Sequence, residues 1–308
     1  MSRRLALFLM DEGGYQLELR DEFLATTREY GFSARVFSAD NDPQRQVKQI
    51  DGCLAEPKEL RPTVVLVSPV REGALMSTAH AAVRSGVGWV TLNRSSDQLA
   101  ELRRDFHNLP VFCVTADQYE VGRIQGRQFK TLLPYGGELV YIRGPIGTSS
   151  VVRRFAGVQE ILANTSIQIF ALSSDWTAAG GERTLQDWLR IFRGRELPAA
   201  VVGAQNDSMG MGAQNALVAP LRSGRVLFTG CDGAPNHGQR WATEGRLAAT
   251  VIIPPVSGRA VHAIASMLSG GPRPAAETLL SPSSFPPLSI LASRVGHDSS
   301  LARAGHLR

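Results

Sequence analysis

The chain has 308 residues, of which 43% are hydrophobic and 20% charged, and it carries a formal net charge of +5 at pH 7. Such a composition builds an ordinary globular protein with core enough for about two domains, and it excludes collagen, coiled coil and wholesale disorder. No run approaches the roughly 18 apolar residues of a membrane span, and the arginines, Arg103-Arg104 and Arg153-Arg154 among them, are too scattered for a nucleic-acid groove.

In chain order, short apolar runs alternate with longer amphipathic stretches. The run at 5–10 follows Arg3-Arg4 but soon meets Asp11-Glu12-Gly13-Gly14 without a small-residue cleavage site. It reads as a first strand, and no export leader is expected. A helix over 16–30, a strand over 34–38 and a helix over 43–55 come next. In that second helix Val47, Ile50 and Leu54 recur at i, i+3 and i+7 on one face, and Asp42-Pro43 pairs a capping carboxylate with proline at the first helical position. A strand at 63–68, a helix at 73–85 and a strand at 88–92 precede a polar, charged stretch at 95–110, which interrupts the alternation before a strand at 111–115. From there helices at 119–133, 150–163, 179–192, 207–218 and 256–268 are interleaved with strands at 138–142, 167–172, 199–203, 226–230 and 248–252.

Most of these strands are unbroken apolar runs, as parallel strands covered on both faces require. Right-handed crossovers turn such a text into doubly wound α/β sheets. About ten strands strain a single open sheet, so two lobes are expected, with a first boundary near residue 116. The Ser-, Arg- and His-rich tail from Gly296 is expected to be poorly ordered. Cys53, Cys113 and Cys231 lie far apart, with no CxxC pair and no histidine at ligand spacing, so neither a disulfide framework nor a metal site is expected.

In open α/β sheets the loops after the carboxyl ends of the strands carry function. Here those loops hold Asp11, Glu12 and Tyr15, then Ser68, Asn93-Arg94, Arg153-Arg154, Asp175-Trp176, Asn206-Asp207 and Asp232-Gly233. Amides, carboxylates and guanidinium groups pair with vicinal hydroxyls, while an aromatic face covers the C–H side of a sugar ring. The inventory therefore fits a polyhydroxy ligand. Asn206 and Asp207 equally suit helix capping, and Trp176 equally suits packing. Arg153 and Arg154 open a helix against its dipole, which favours a ligand role for one of them.

The succession Ser68-Pro69, Thr91-Leu92-Asn93-Arg94, Asp117-Gln118-Tyr119-Glu120-Val121-Gly122, Arg154-Phe155-Ala156-Gly157, Gln205-Asn206-Asp207-Ser208-Met209, Gly230-Cys231-Asp232-Gly233 and Gly245-Arg246-Leu247-Ala248-Ala249-Thr250-Val251 resembles the type I periplasmic sugar-binding proteins of the ribose-binding kind. It is also similar to the sensor domains of LacI-type repressors, and the likeness spans about residues 4–292. The resemblance implies two doubly wound lobes, 1–116 with 254–281 and 117–253 with 282–294, followed by a flexible tail at 295–308. Three crossovers would form a hinge that closes on the ligand, with Pro254-Pro255 stiffening one of them.

With Glu12 from the first loop, the resemblance places ligand contacts at Tyr15, Gln16, Ser68, Asn93 and Arg94 in one lobe and at Arg154, Trp176, Asn206, Asp232 and Ile253 in the other. Three positions depart from the ribose-binding pattern. Asn93 stands where that type has Asp, Gln16 at a position usually aromatic, and Ile253 where it has Gln. A sugar hydroxyl facing Ile253 would stay unpaired at a cost of roughly 1–3 kcal/mol. A deoxygenated, methylated or non-pentose ligand is therefore expected.

The function implied is capture of a small carbohydrate in the interlobe cleft by a monomer, without a cofactor, and its delivery to the permease of an ABC importer in the periplasm or cell envelope. The alternative is a leaderless cytoplasmic sugar sensor that signals to a protein partner. The sequence contains no GxxxxGK[ST], strand-linked GxGxxG, HExxH or GxSxG, so no enzyme and no catalytic residue are expected. A first strand that begins at Leu5 leaves no room for a DNA-reading helix-turn-helix ahead of it.

Overall fold

The protein was examined as a computed structural model that describes residues 3–94, 98–191, 200–217 and 226–297. In chain order the elements are β1 (Arg4–Leu9), α1 (Gly14–Glu29), β2 (Ser33–Ser38), α2 (Pro43–Ala55), β3 (Val64–Val67), α3 (Met76–Arg84), β4 (Gly88–Leu92), α4 (Gln98–Asp105) and β5 (Val111–Ala116). There follow α5 (Gln118–Leu132), β6 (Gly137–Arg143), α6 (Ser149–Leu162), β7 (Ile167–Ser173), α7 (Ala178–Ile191), β8 (Ala200–Ala204), α8 (Asp207–Asn215) and β9 (Leu227–Thr229). Last come α9 (Arg240–Thr243), β10 (Thr250–Ile252), α10 (Ser257–Leu268), β11 (Glu277–Leu280), β12 (Ser283–Phe285) and α11 (Leu288–His297). The chain divides into two compact units, Met1–Ala116 with Pro255–Leu280 and Asp117–Pro254 with Ser281–Arg308.

In the first unit six parallel strands are ordered β11-β5-β4-β3-β1-β2. Successive residues of a strand point to opposite faces, and here both faces are covered. Ala6, Phe8, Val65 and Val67 pack with Ile50 of α2 and with Ala79, Ala82 and Val83 of α3. Leu5, Leu7, Leu9, Val64 and Leu66 pack with Leu19 and Phe23 of α1 and with Val261 and Ile264 of α10. This double burial is why the strands read as unbroken apolar runs. The helix face read from Val47, Ile50 and Leu54 does meet this core. Asp42 caps α2, accepting from the N–H of Gln44 at 2.8 Å and of Arg45 at 3.2 Å.

The polar stretch at 95–110 is not a break in the alternation. It contains α4, between β4 and β5, whose contribution to the core is confined to Leu99 and Leu102. Two buried residues in an otherwise charged octet leave too faint a periodic signal. The second unit holds a parallel sheet ordered β7-β6-β8-β9 and an antiparallel pair of β10 with β12. Parallel bridges Thr229↔Ala249 and Asp232↔Ile252 carry the chain from β9 alongside β10.

Gly296 and His297, expected to open the tail, belong to α11, which has Leu291 buried in the core. The rest of that tail, and residues 192, 199 and 218 at the ends of expected elements, lie outside the described residues. All three cysteines are buried thiols outside any disulfide, and burial pushes the Cys231 thiol up to about 12. Among the described residues no group of three or more His, Cys, Asp or Glu could hold a metal ion, and no helix is long and apolar enough to cross a membrane.

Candidate functional site

Because each main sheet is parallel, all its strands end on one edge, and in each unit the polar residues gather there. In the first unit Arg94 ties three strand ends together. Its Nη1 donates to the Val70 carbonyl at 2.9 Å and its Nη2 to the Met10 sulfur at 3.6 Å, which joins the loops after β1, β3 and β4. The Gln46 amide of α2 braces the same region, donating to the Ser68 carbonyl at 2.9 Å and accepting from the Val70 N–H at 3.0 Å. Ser68 is thereby held and buried.

Asn93, directly after β4, adopts a φ of 65°, in the left-handed region that asparagine tolerates better than most residues. Its Oδ1 accepts from the Tyr15 hydroxyl at 2.9 Å, while its Nδ2 is buried without a partner among the described residues. Gln16 turns inward: it is buried and its Oε1 accepts from the Met10 N–H at 3.4 Å, so it joins α1 to the end of β1. Glu12 is exposed on the loop before α1.

In the second unit Arg154 of α6 is buried. Its Nε donates to Gln118 Oε1 at 2.7 Å, and its Nη1 donates to the Gln205 carbonyl and to the Cys231 sulfur. Its guanidinium stands 5.9 Å from the ring centroid of Trp176, within cation–π range. Trp176 adopts a φ of 72°, which a bulky residue rarely does and which marks stored strain. Its indole lies so close to Gly144 that a Cβ there would fall 2.1 Å from Cζ2, so only glycine fits. The indole Nε1 is buried without a partner among the described residues.

Asn206 acts as a helix cap. Its Oδ1 accepts from the Met209 N–H at 2.8 Å and its Nδ2 donates to the Trp176 carbonyl at 2.9 Å, which fixes the tryptophan backbone. Asp232 has a φ of 108° and is half-buried, and its carbonyl accepts from the Ile253 N–H at 3.0 Å. Ile253 itself is buried with the core residues.

Asp207 is not the cap that its position after Asn206 allowed. It is the first residue of α8, buried, with Oδ1 accepting from the Thr250 hydroxyl at 2.7 Å and Oδ2 from the Gly233 N–H at 2.8 Å. A Cβ on Gly238 would fall 2.0 Å from Oδ2, so this carboxyl fills the space that glycine leaves. Burial raises its pKa from 3.8 to about 7 against the hydrogen bonds of Thr250, Gly233 and Cys231 and the charge of Arg154.

A folded-state value above the unfolded one means that the protonated form favours folding. That contribution is complete below about pH 4 and is lost as pH rises through 7. The thermal midpoint is therefore expected to fall between pH 5 and 8, by the equivalent of a few kcal/mol. In Asp207→Asn that part of the slope disappears; an unchanged slope in a pH series of melting curves would exclude Asp207 as its source.

Tyr15 with Asn93, Arg154 with Trp176, Trp176 with Asn206 and Asp232 with Ile253 are thus brought together, each pair within one unit. The residues that sequence reading passed over are the buried glutamines Gln46, Gln118 and Gln205. A signal did exist for Gln118, which shares a helical phase with Val121, Gln125 and Gln128, all buried.

A cavity of about 440 Å³ in the second unit lies elsewhere, beside the amino end of β9. Leu132, Leu217, Phe228, Leu247 and Leu291 line much of it, and such walls offer little to hydroxyl groups.

Comparison with known proteins places these features in context. The xylitol-binding protein of Mycolicibacterium smegmatis is 26% identical over 198 residues, covering 64% of this chain and 52% of that protein. The D-allose-binding periplasmic protein of Escherichia coli is 28% identical over 192 residues, covering 61% and 59%. The chain spans only about half to two thirds of the length of these curated relatives.

Among solved structures, a galactofuranose-binding protein superposes with a TM-score of 0.80 at 18% identity, covering 97% of this chain and 99% of that one. The Caulobacter myo-inositol binding protein gives 0.76 at 22% identity, covering 96% and 99%. These likenesses establish the type I fold expected from the sequence. The model of the periplasmic binding protein domain matches residues 6–272, nearly the whole described chain, and the protein belongs to that family.

Proposed function

We propose that the protein binds a small carbohydrate or polyol at the carboxyl ends of its sheet strands, without transforming it, and delivers it to an ABC importer in the periplasm or cell envelope. One observation carries this reading. Each unit holds, at the carboxyl edge of its sheet, a residue on left-handed backbone whose buried N–H donor has no partner among the described residues: Asn93 in one and Trp176 in the other. A buried donor left unpaired costs about 1–3 kcal/mol, and strained backbone costs about as much. A ligand oxygen against each donor removes the first cost and gives the second a purpose.

The relatives support the same reading, since those above are described as binding xylitol and D-allose and the solved neighbours as binding galactofuranose and myo-inositol. The ligand contacts are proposed at Tyr15, Asn93, Arg94, Arg154, Trp176 and Asp232. Glu12, Ser68 and Asn206 border them, while Gln16 and Ile253 support them from within the fold.

Thermal-shift screening against neutral sugars, polyols and sugar acids tests the proposal. A ligand at about 100 times its Kd stabilises by roughly 2.7 kcal/mol. That should raise the midpoint by roughly 5–10 °C. A panel in which no compound shifts the midpoint would overturn the reading.

A further inference from the structure

Gln205 directly follows β8 and has no exposed surface. Its N–H donates to the Ile142 carbonyl at 2.9 Å, which pins it to the end of β6. Its side chain then reaches two further places: Oε1 accepts from the Gly144 N–H at 3.1 Å, and Nε2 donates to the Val151 carbonyl at 3.1 Å. Its own carbonyl accepts from Arg154 Nη1. An N–H only donates and a carbonyl only accepts, so the Gln205 amide has a single orientation that satisfies both partners.

Each of these partners supports one of two residues of the candidate site. Gly144 is the surface on which the Trp176 indole rests, so closely that no Cβ fits between them. Val151 lies in the first turn of α6, three residues before Arg154. The Arg154 guanidinium and the Trp176 ring face each other at 5.9 Å. Asn206, the next residue after Gln205, donates to the Trp176 carbonyl at 2.9 Å. Two consecutive residues at one strand end thus hold the glycine beneath the indole, the backbone that carries the indole, and the helix that carries the arginine.

A loop glycine is the freest residue in backbone conformation, and one whose buried N–H has lost its acceptor has reason to move. Binding groups held in place before the ligand arrives keep the affinity that ordering them would otherwise cost. Resting on the binding function proposed above, we infer that Gln205 is a positioning residue, whose side-chain amide sets the Trp176 indole and the Arg154 guanidinium in their binding arrangement without itself touching the ligand.

Three variants test this. Gln205→Met keeps the volume and removes both side-chain bonds, while Gln205→Glu keeps an oxygen for Gly144 and loses the donor to Val151. Gln128→Met is the control, because this buried glutamine donates instead to the Thr250 carbonyl at 2.8 Å and the Ser284 hydroxyl at 2.9 Å. Affinity is read by titration calorimetry with xylitol, D-allose, myo-inositol and any other sugar, polyol or sugar acid of the thermal-shift panel that the parent binds. The near-ultraviolet circular dichroism of Trp176 is read without any ligand, by subtracting the spectrum of the matching Trp176→Phe protein.

Gln205→Met should weaken binding ten-fold or more and diminish the Trp176 band, and Gln205→Glu should weaken binding several-fold. Gln128→Met should lower the thermal midpoint with affinity within two-fold of the parent and the band intact. Parental affinity and an intact band in folded Gln205→Met, or in Gln205→Glu should the methionine variant not fold, overturn the inference and leave the binding function standing. An equal loss of affinity in Gln128→Met overturns it too. A parent that binds nothing in the panel overturns both.

Discussion

Arg154→Ala is expected to lower stability by about 3 kcal/mol and to remove measurable ligand binding together. The side chain is a structural tie as much as a proposed ligand contact: its loss removes the donor to Gln118 Oε1 and to the Gln205 carbonyl, both on buried residues. Hydrogen bonds to a charged donor contribute roughly 1.5–3 kcal/mol each, and at 2–4 °C per kcal/mol for a unit of this size the midpoint falls by roughly 6–12 °C. Thermal melting with calorimetric titration of the folded variant checks both halves. An undiminished midpoint would show that the hydrogen bonds around Arg154 contribute nothing net. The bond to Cys231 adds little, because that thiol is neutral and a weak acceptor.

Trp176→Ala and Asn93→Ala act on opposite units and should differ in size. The indole offers an aromatic face of the 150–250 Å² class, and losing its cover removes on the order of 2–4 kcal/mol of binding, roughly 30- to 1000-fold. Asn93→Ala deletes one donor and the oxygen that accepts from the Tyr15 hydroxyl, which costs about 1–2 kcal/mol, roughly 5- to 30-fold. Asn93 is polar and half-buried, and Trp176 packs at the margin of the second unit's core rather than within it, so both variants should fold. Alanine at 176 still carries the positive φ, and Asn206 still donates to the carbonyl there.

Much of this fold was legible because the sheets are parallel. Strands such as Val64–Val67 are buried on both faces and announce themselves as apolar runs. Helices such as α2 show one apolar face and a capped start. What escaped reading is short or polar: α4 anchors through Leu99 and Leu102, and β11, β12 and α11 sit among Pro272, Pro274, Pro282, Pro286 and Pro287, where turn chemistry masks periodicity.

The loops that hold the site were legible from the rule that strand carboxyl ends carry function. The direction of each side chain was not. Asn206 and Asn93 look alike in sequence, each an asparagine following a strand, yet one spends both ends of its amide on the fold and the other keeps a donor in reserve. Gln46, Gln118 and Gln205 look like surface residues until their buried hydrogen bonds are seen, since glutamine is mostly exposed in proteins.

The account rests on the proposal that Asn93 and Trp176 each donate to a bound carbohydrate. Titration calorimetry of the parent, Asn93→Ala and Trp176→Ala with the strongest ligand from the thermal-shift panel tests it most directly. Both substitutions should weaken binding, the tryptophan more than the asparagine, with circular dichroism unchanged; parental affinity in either folded variant would contradict it.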